Sequence, residues 1–213
     1  EQNFYHQLCD MFLEMAKTLT ISAEEMDKRY QFTNIELVKE YEKKNKSIIL
    51  MTPHYASWEW IIILGKYIDF KGFGIYKKLS NPRFDQLVRN MRSKFNAELI
   101  STKDTIRTIK KNQENNLHGI YVFLSDQTPS LRKGLHWEYF LGHEVPVHMG
   151  AENLAYQLDM NVLYLKVSKV QRGFYRAEFI PITDDIQNEE KYNVTKRFLK
   201  LSEEQILEKP DYY

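Results

Sequence analysis

The segment Pro53-His54-Tyr55-Ala56-Ser57-Trp58-Glu59 holds the residue types for acid–base chemistry. An imidazole can take a proton from a hydroxyl near neutral pH, provided a carboxylate fixes its tautomer and stabilises its charged form. On one continuous helix His54 and Glu59, five positions apart, would diverge by roughly 140° at about 100° per residue. They meet only if His54 sits in a loop just ahead of a helix that carries Glu59 in its first turn. Glu59 would then accept a hydrogen bond from one ring nitrogen and leave the other for a substrate. Asp126 and Gln127 close another apolar run, at the edge of a sheet where active sites form. They would either position a substrate or serve as structural hydrogen-bonding groups.

An alternation of strands and helices must position these residues. Ser47 to Thr52 is a short apolar run, ends at Pro53, and reads as a buried strand. A helix follows from about Ser57 to Tyr67. Gly72 to Lys77 reads as a strand, Asn81-Pro82 as an N-cap and first-turn pair, and Phe84, Leu87, Val88, Met91 and Phe95 recur at helical spacing. A strand at Glu98 to Ile100, a helix from about Lys103 to Asn115 and a strand at Gly119 to Leu124 repeat the step. Asn161 to Val167 and Phe174 to Ile180, around Gln171-Arg172-Gly173, predict an antiparallel hairpin. The fold class is therefore α/β, a mixed central sheet flanked by helices. Helices are also predicted from Ile35 to about Lys44 and from about Tyr192 to Glu208. An opening helix should bury Phe4, Leu8, Met11, Phe12, Met15 and Leu19.

Length and composition narrow the function classes. The 213 residues suit one domain, with an N-terminal helical part to about residue 46. Thirty basic residues against 29 acidic ones give a net charge of +1, so bulk charge supplies no attraction to a polyanion and nucleic acid is not an expected partner. The single cysteine, Cys9, excludes an intramolecular disulfide and reads as a small buried hydrophobe. His136, His143, Glu144 and His148 match no metal-hydrolase spacing, and neither a Gly-rich phosphate loop nor a Gly-x-Ser-x-Gly elbow is present. No metal or other cofactor is expected. No stretch approaches the ~20 apolar residues that span a bilayer.

The segment His54 to Glu59 resembles the signature of the bacterial lipid A biosynthesis acyltransferase family, the late acyltransferases of lipopolysaccharide assembly within the lysophospholipid acyltransferase-like superfamily. Their His-x4-Asp/Glu motif is commonly written around His-Tyr-Gly-Asn-Trp-Glu, and Ala56 and Ser57 stand here for Gly-Asn. Gly74 to Asp85, containing Leu79-Ser80-Asn81-Pro82, is similar to a second family block. Gly119 to Pro129, with its Asp126-Gln127 pair, is similar to a third. Phe140-Leu141-Gly142 with Val145-Pro146-Val147 and Gly150-Ala151, then Arg172 to Tyr175, then Glu208 to Tyr213, resemble the remaining blocks in order. Two departures stand out. Lys77 occupies a position where arginine is usual, which keeps the charge and loses the bidentate fork. Asn161 occupies one where proline is common.

The resemblance implies a fold like that of glycerolipid acyltransferases. It also implies transfer of an acyl chain from an acyl carrier protein thioester to a free hydroxyl of a lipid A precursor. His54 would be the base and Glu59 its partner, with no metal, nucleotide or covalent enzyme intermediate. Lys77, or equally Lys78, would bind a phosphate or remain a solvated lysine. Trp58, Trp60, Ile61 and Leu64 would line an acyl pocket, face lipid or pack in the core. Arg83, Arg89, Arg92 and Lys94 would attract an acidic carrier or headgroups, or form a solvated face. The family's setting is the cytoplasmic face of the bacterial inner membrane, with the membrane surface as a partner. A native N-terminal membrane anchor and a C-terminal tail are expected outside these 213 residues. Open alternatives are a transferase for another membrane lipid or glycolipid, a lipid-binding relative without catalysis, and a thioesterase.

Overall fold

A computed structural model describes residues 2–129 and 135–213. The chain opens with α1 (Gln2–Thr18), α2 (Ala23–Arg29), β1 (Tyr30–Phe32) and α3 (Ile35–Lys43). β2 (Ile48–Thr52) leads through the His54 loop to a 3-10 helix, Trp58–Lys66. β3 (Lys71–Tyr76), α4 (Pro82–Arg92), β4 (Ala97–Ser101), α5 (Thr105–Glu114) and β5 (Gly119–Leu124) follow. After them come the hairpin β6 (His136–Phe140) and β7 (His143–Val147), α6 (Gly150–Leu158), β8 (Asn161–Gln171), β9 (Phe174–Thr183) and α7 (Asn193–Glu208).

Seven strands form one mixed sheet in the order β1-β9-β8-β2-β5-β3-β4, with β8 and β9 antiparallel and every other pairing parallel. β2 lies at the centre because its five residues are apolar or small on both faces, and all five are buried. Ser47 fixes where its neighbours begin. Its carbonyl accepts the Asn161 amide at 3.0 Å and its hydroxyl accepts the Gly119 amide at 3.2 Å. A proline at Asn161 could not make the first of these bonds.

The mixed α/β architecture, the β8–β9 hairpin and the Asn81 cap follow the sequence reading. Asn81 Oδ1 accepts the amides of Arg83 and Phe84 at 3.0 and 3.1 Å. The predicted helix after His54 is instead a 3-10 helix. Its Trp-Ile-Ile-Ile core is poor in α-helix formers, and Gly65 approaches another strand of backbone so closely that a Cβ there would lie 2.1 Å from the Phe95 carbonyl oxygen.

The opening helix is reversed relative to the prediction. α1 buries Gln7, Asp10, Glu14 and Thr18, leaves Phe4, Leu8 and Phe12 exposed and Met11 and Met15 half-buried, and Leu19 just past its end is exposed too. The physical reason is a polar network on its inner face. Lys169 Nζ donates to Gln7 Oε1 at 2.6 Å and to Asp10 Oδ2 at 3.1 Å, Arg172 Nε donates to Asp10 Oδ1 at 2.8 Å, and the Tyr175 hydroxyl donates to Glu14 Oε1 at 2.7 Å. Cys9, expected inside, is exposed on the same helix. No helix among the described residues is long and apolar enough to cross a membrane.

Candidate active site

Parallel pairing sets Thr52 beside Leu124, the last residues of β2 and β5. His54 lies two positions past the first and Asp126 two positions past the second, so neighbouring strands deliver both side chains to the C-terminal edge of the sheet. The His54 ring Nδ1 stands 2.8 Å from Asp126 Oδ1, and the His54 backbone amide donates to Asp126 Oδ2 at 3.0 Å. A carboxylate only accepts, so Nδ1 carries a proton, and in the neutral ring the lone pair is on Nε2. The Asp126 side chain is 1% exposed and that of His54 30%, so the carboxylate is sealed behind a ring that still meets a cavity.

Glu59 does not bond the imidazole, which corrects the expected geometry. It accepts two hydrogen bonds from Arg92, from Nε to Oε2 at 2.9 Å and from Nη2 to Oε1. A planar guanidinium at the end of α4 offers a carboxylate a bidentate fit that one imidazole nitrogen cannot match. The Arg92 guanidinium also lies 5.3 Å from the Trp58 ring centre, and Trp58 meets the His54 ring edge-on at 5.0 Å. His54, Trp58, Glu59 and Arg92 therefore form one cluster on the cavity wall.

The C-terminal segment braces the His54 loop from outside. The Ala56 amide donates to the Tyr212 carbonyl at 2.9 Å, and the Tyr55 hydroxyl donates to the Lys209 carbonyl at 2.9 Å. Burial, and then the charge of Asp126, push the Tyr213 hydroxyl up to about 12. The amides of Tyr55 and Ala56 are bonded to Pro53 and Tyr212, so neither is available as an oxyanion donor. Ala56 has φ 51°, the left-handed region that glycine enters without strain.

The cavity has a volume of about 870 Å³ and runs between the sheet, the Trp58–Lys66 helix and α6. Gly72 and Lys77 both line it, so it follows β3 from end to end, about 17 Å at ~3.3 Å per residue. Ile61, Ile62, Leu64, Phe73, Ile120 and Leu154 make its walls mainly hydrocarbon. Lys77 and Gln127 stand at its His54 end and are exposed, whereas Lys78 is outside the lining. Asp126 is also outside the lining, because both its oxygens are turned to His54. Trp60 belongs to the core, its indole N–H donating to the Thr18 hydroxyl at 3.0 Å.

Sequence reasoning missed the pairing of Asp126 with His54 and the role of Arg92. The first had a signal, since each residue stands two places past a buried strand. The second had none, because a helical arginine at that spacing reads as part of a solvated face. The basic set predicted on the helix after Pro82, three residues on α4 and Lys94 just past its end, dissolves in the same way. Arg89 donates to the Tyr76 hydroxyl at 2.8 Å, Arg92 holds Glu59, and Lys94 donates to the carbonyls of Leu19 and Ile21 at 2.9 and 3.1 Å. Among the described residues Arg83 alone of the four stays exposed with no such side-chain bond. His136 is likewise committed, with Nε2 2.7 Å from Glu138 Oε1 and its ring stacked on Tyr192.

No curated protein matches the chain. The sequence pattern of the bacterial lipid A biosynthesis acyltransferases matches residues 2–213. An imidazole backed by a buried carboxylate at the mouth of a long hydrocarbon cavity suits acyl transfer, and the chain belongs to the bacterial lipid A biosynthesis acyltransferase family.

Proposed function

We propose that the enzyme moves a fatty acyl chain from an acyl carrier protein thioester to a free hydroxyl of a lipid A precursor at the cytoplasmic face of the bacterial inner membrane. The observation that carries this reading is the His54–Asp126 pair at the catalytic end of the apolar cavity. The acyl chain lies in the cavity along β3, with its thioester carbonyl beside His54. Nε2 takes the proton of the acceptor hydroxyl as its oxygen attacks the carbonyl carbon, and Asp126 stabilises the imidazolium that forms. The carbon–sulfur bond then breaks, and the proton passes to the departing thiolate of the carrier arm. A positioned base of this kind is worth about 10² to 10⁴ in rate.

Glu59 acts through Arg92. Its carboxylate occupies Nε and Nη2 of the guanidinium and leaves Nη1 for the oxyanion of the tetrahedral intermediate. Lys77 and Gln127 at the cavity mouth receive the polar part of a substrate, and a phosphate is the group that suits Lys77.

The test mixes purified protein, labelled acyl carrier protein thioester and an under-acylated lipid A precursor, and reads the lipid by mass spectrometry. A product heavier by one acyl chain, absent with His54→Ala, is expected. No product from folded protein across several chain lengths would reject this donor and acceptor, and product from another glycolipid would redirect the acceptor.

A further inference from the structure

α1 presents the wrong side to solvent for an ordinary surface helix. Its inner residues Gln7, Asp10, Glu14 and Thr18 are polar and no more than 7% exposed, while Tyr5, Phe12 and Leu13 on the outer side are 61%, 59% and 62% exposed. A surface helix normally turns its apolar stripe to the core. Here a network from Lys169, Arg172, Tyr175 and Trp60 holds the polar stripe inward, so the apolar arc is fixed outward. A continuous exposed arc of this kind marks an interaction surface.

Its position relative to the site follows from the register. β8 pairs with β2 up to Met51 and Tyr164, and the Thr52 hydroxyl donates to the Leu165 carbonyl at 3.1 Å. Lys169, Arg172 and Tyr175, the partners of α1, lie beyond that point, on the side of the sheet where His54 emerges. The start of α1 meets the segment that braces the His54 loop, with Asn3 Nδ2 donating to Asp211 Oδ2 at 3.3 Å. α1 therefore shares the catalytic edge.

That edge carries more apolar surface, with an excess of positive charge. Leu79 in the loop after β3, and Phe84 and Ile106 in the first turns of α4 and α5, are exposed. Lys77, Lys78, Arg83, Lys103 and Arg107 stand exposed among them. The two acids of the same segments each have a local partner. Asp85 is buried and accepts the Leu79 amide at 2.8 Å, and Asp104 pairs with Arg107 at 2.8 Å. Lys77, Lys78, Arg83 and Lys103 have no acidic partner among the described residues, and apolar side chains interspersed with such cations complement an anionic lipid surface, whereas a second copy of this edge would repel them.

We propose that the outer arc of α1 and the basic, apolar rim of the catalytic edge form one face that docks on a bilayer containing anionic phospholipid. This deepens the proposed function, on which it rests for the presence of a membrane acceptor. It places the mouth of the cavity against the surface from which that acceptor is drawn.

The experiment measures partition of the full chain onto vesicles of phosphatidylcholine, with and without phosphatidylglycerol, by co-sedimentation. Transfer is assayed in parallel on detergent-dispersed substrates. Wild type is expected to bind the mixed vesicles, with at least tenfold weaker binding for Phe12→Ser combined with Leu13→Ser. Lys78→Gln with Arg83→Gln and Lys103→Gln should lose only the preference for phosphatidylglycerol. The native Cys9, exposed on α1 and the single cysteine, takes an environment-sensitive fluorophore whose emission should shift to the blue on the mixed vesicles, so the test stands even if a variant does not fold. Equal binding by wild type and the Phe12/Leu13 variant, or no emission shift at Cys9, overturns the proposal. So does a dimer of wild type that the same substitutions dissociate. Vesicle binding without transfer in detergent would leave the face standing and reject the proposed reaction, and transfer in detergent without vesicle binding would do the reverse.

Discussion

His54 depends on a neighbour that never touches the cavity. Asp126 holds both the ring and the backbone of His54, so it decides which nitrogen keeps the lone pair. Asp126→Asn keeps the size and most of the hydrogen bonding but can also donate, which allows the inactive tautomer. The expected result is a fall in kcat of about 10² to 10⁴, with KM for the thioester little changed and the fold intact by circular dichroism. At Ala56 the effect is on stability. Its positive φ costs about 1 kcal/mol for a residue with a Cβ. Glycine relieves that strain at some cost in unfolded-chain entropy. Ala56→Gly is expected to raise stability by up to about 1 kcal/mol in denaturant unfolding and to keep the amide bond to Tyr212, with activity at least at the wild-type level.

At the scale of elements, α1 is docked by charge more than by hydrocarbon, and its attachment should therefore respond to pH. Burial pulls the Asp10 carboxyl upward, but the bonds from Lys169 and Arg172 outweigh it and hold the group below its ordinary 3.8. Its contribution is thus present above 3.8 and is lost as pH falls through the lower folded value. Glu14 has the opposite sign. Burial is the largest influence and raises its carboxyl above 4.5 despite the bond from Tyr175, so its share of stability declines as pH rises from 4.5 through the raised value. Glu14→Gln keeps an acceptor for Tyr175 and removes the buried charge. It is expected to raise Tm by about 2–4 °C at neutral pH and to flatten the decline above pH 4.5, measured by calorimetry across a pH series.

The cavity is a property of the whole molecule, enclosed where the sheet, the Trp58–Lys66 helix and α6 meet. Ala97 lines it at the start of β4, opposite Gly72 and far from His54. If the acyl chain lies along β3, Ala97→Phe shortens the space at that end. Transfer of the longest chain accepted by wild type should then fall by about tenfold or more, since a lost methylene contact alone is worth 10–200-fold in discrimination. Shorter chains should keep their rate, as read by competition between thioesters. The sequence by itself determined the alternation of strands and helices, because burial of β2 and of the first half of β5 needs apolar runs that are visible without coordinates. It also determined His54, since a histidine after such a run falls on the edge of a parallel sheet. Only the tertiary structure decided that Asp126, 72 positions away, is its partner, that Glu59 belongs to Arg92, and that α1 turns its apolar side out. Periodicity reports the spacing of side chains along one element, and these three outcomes were set by which carboxylate, cation or hydroxyl a neighbouring element brought within hydrogen-bonding distance.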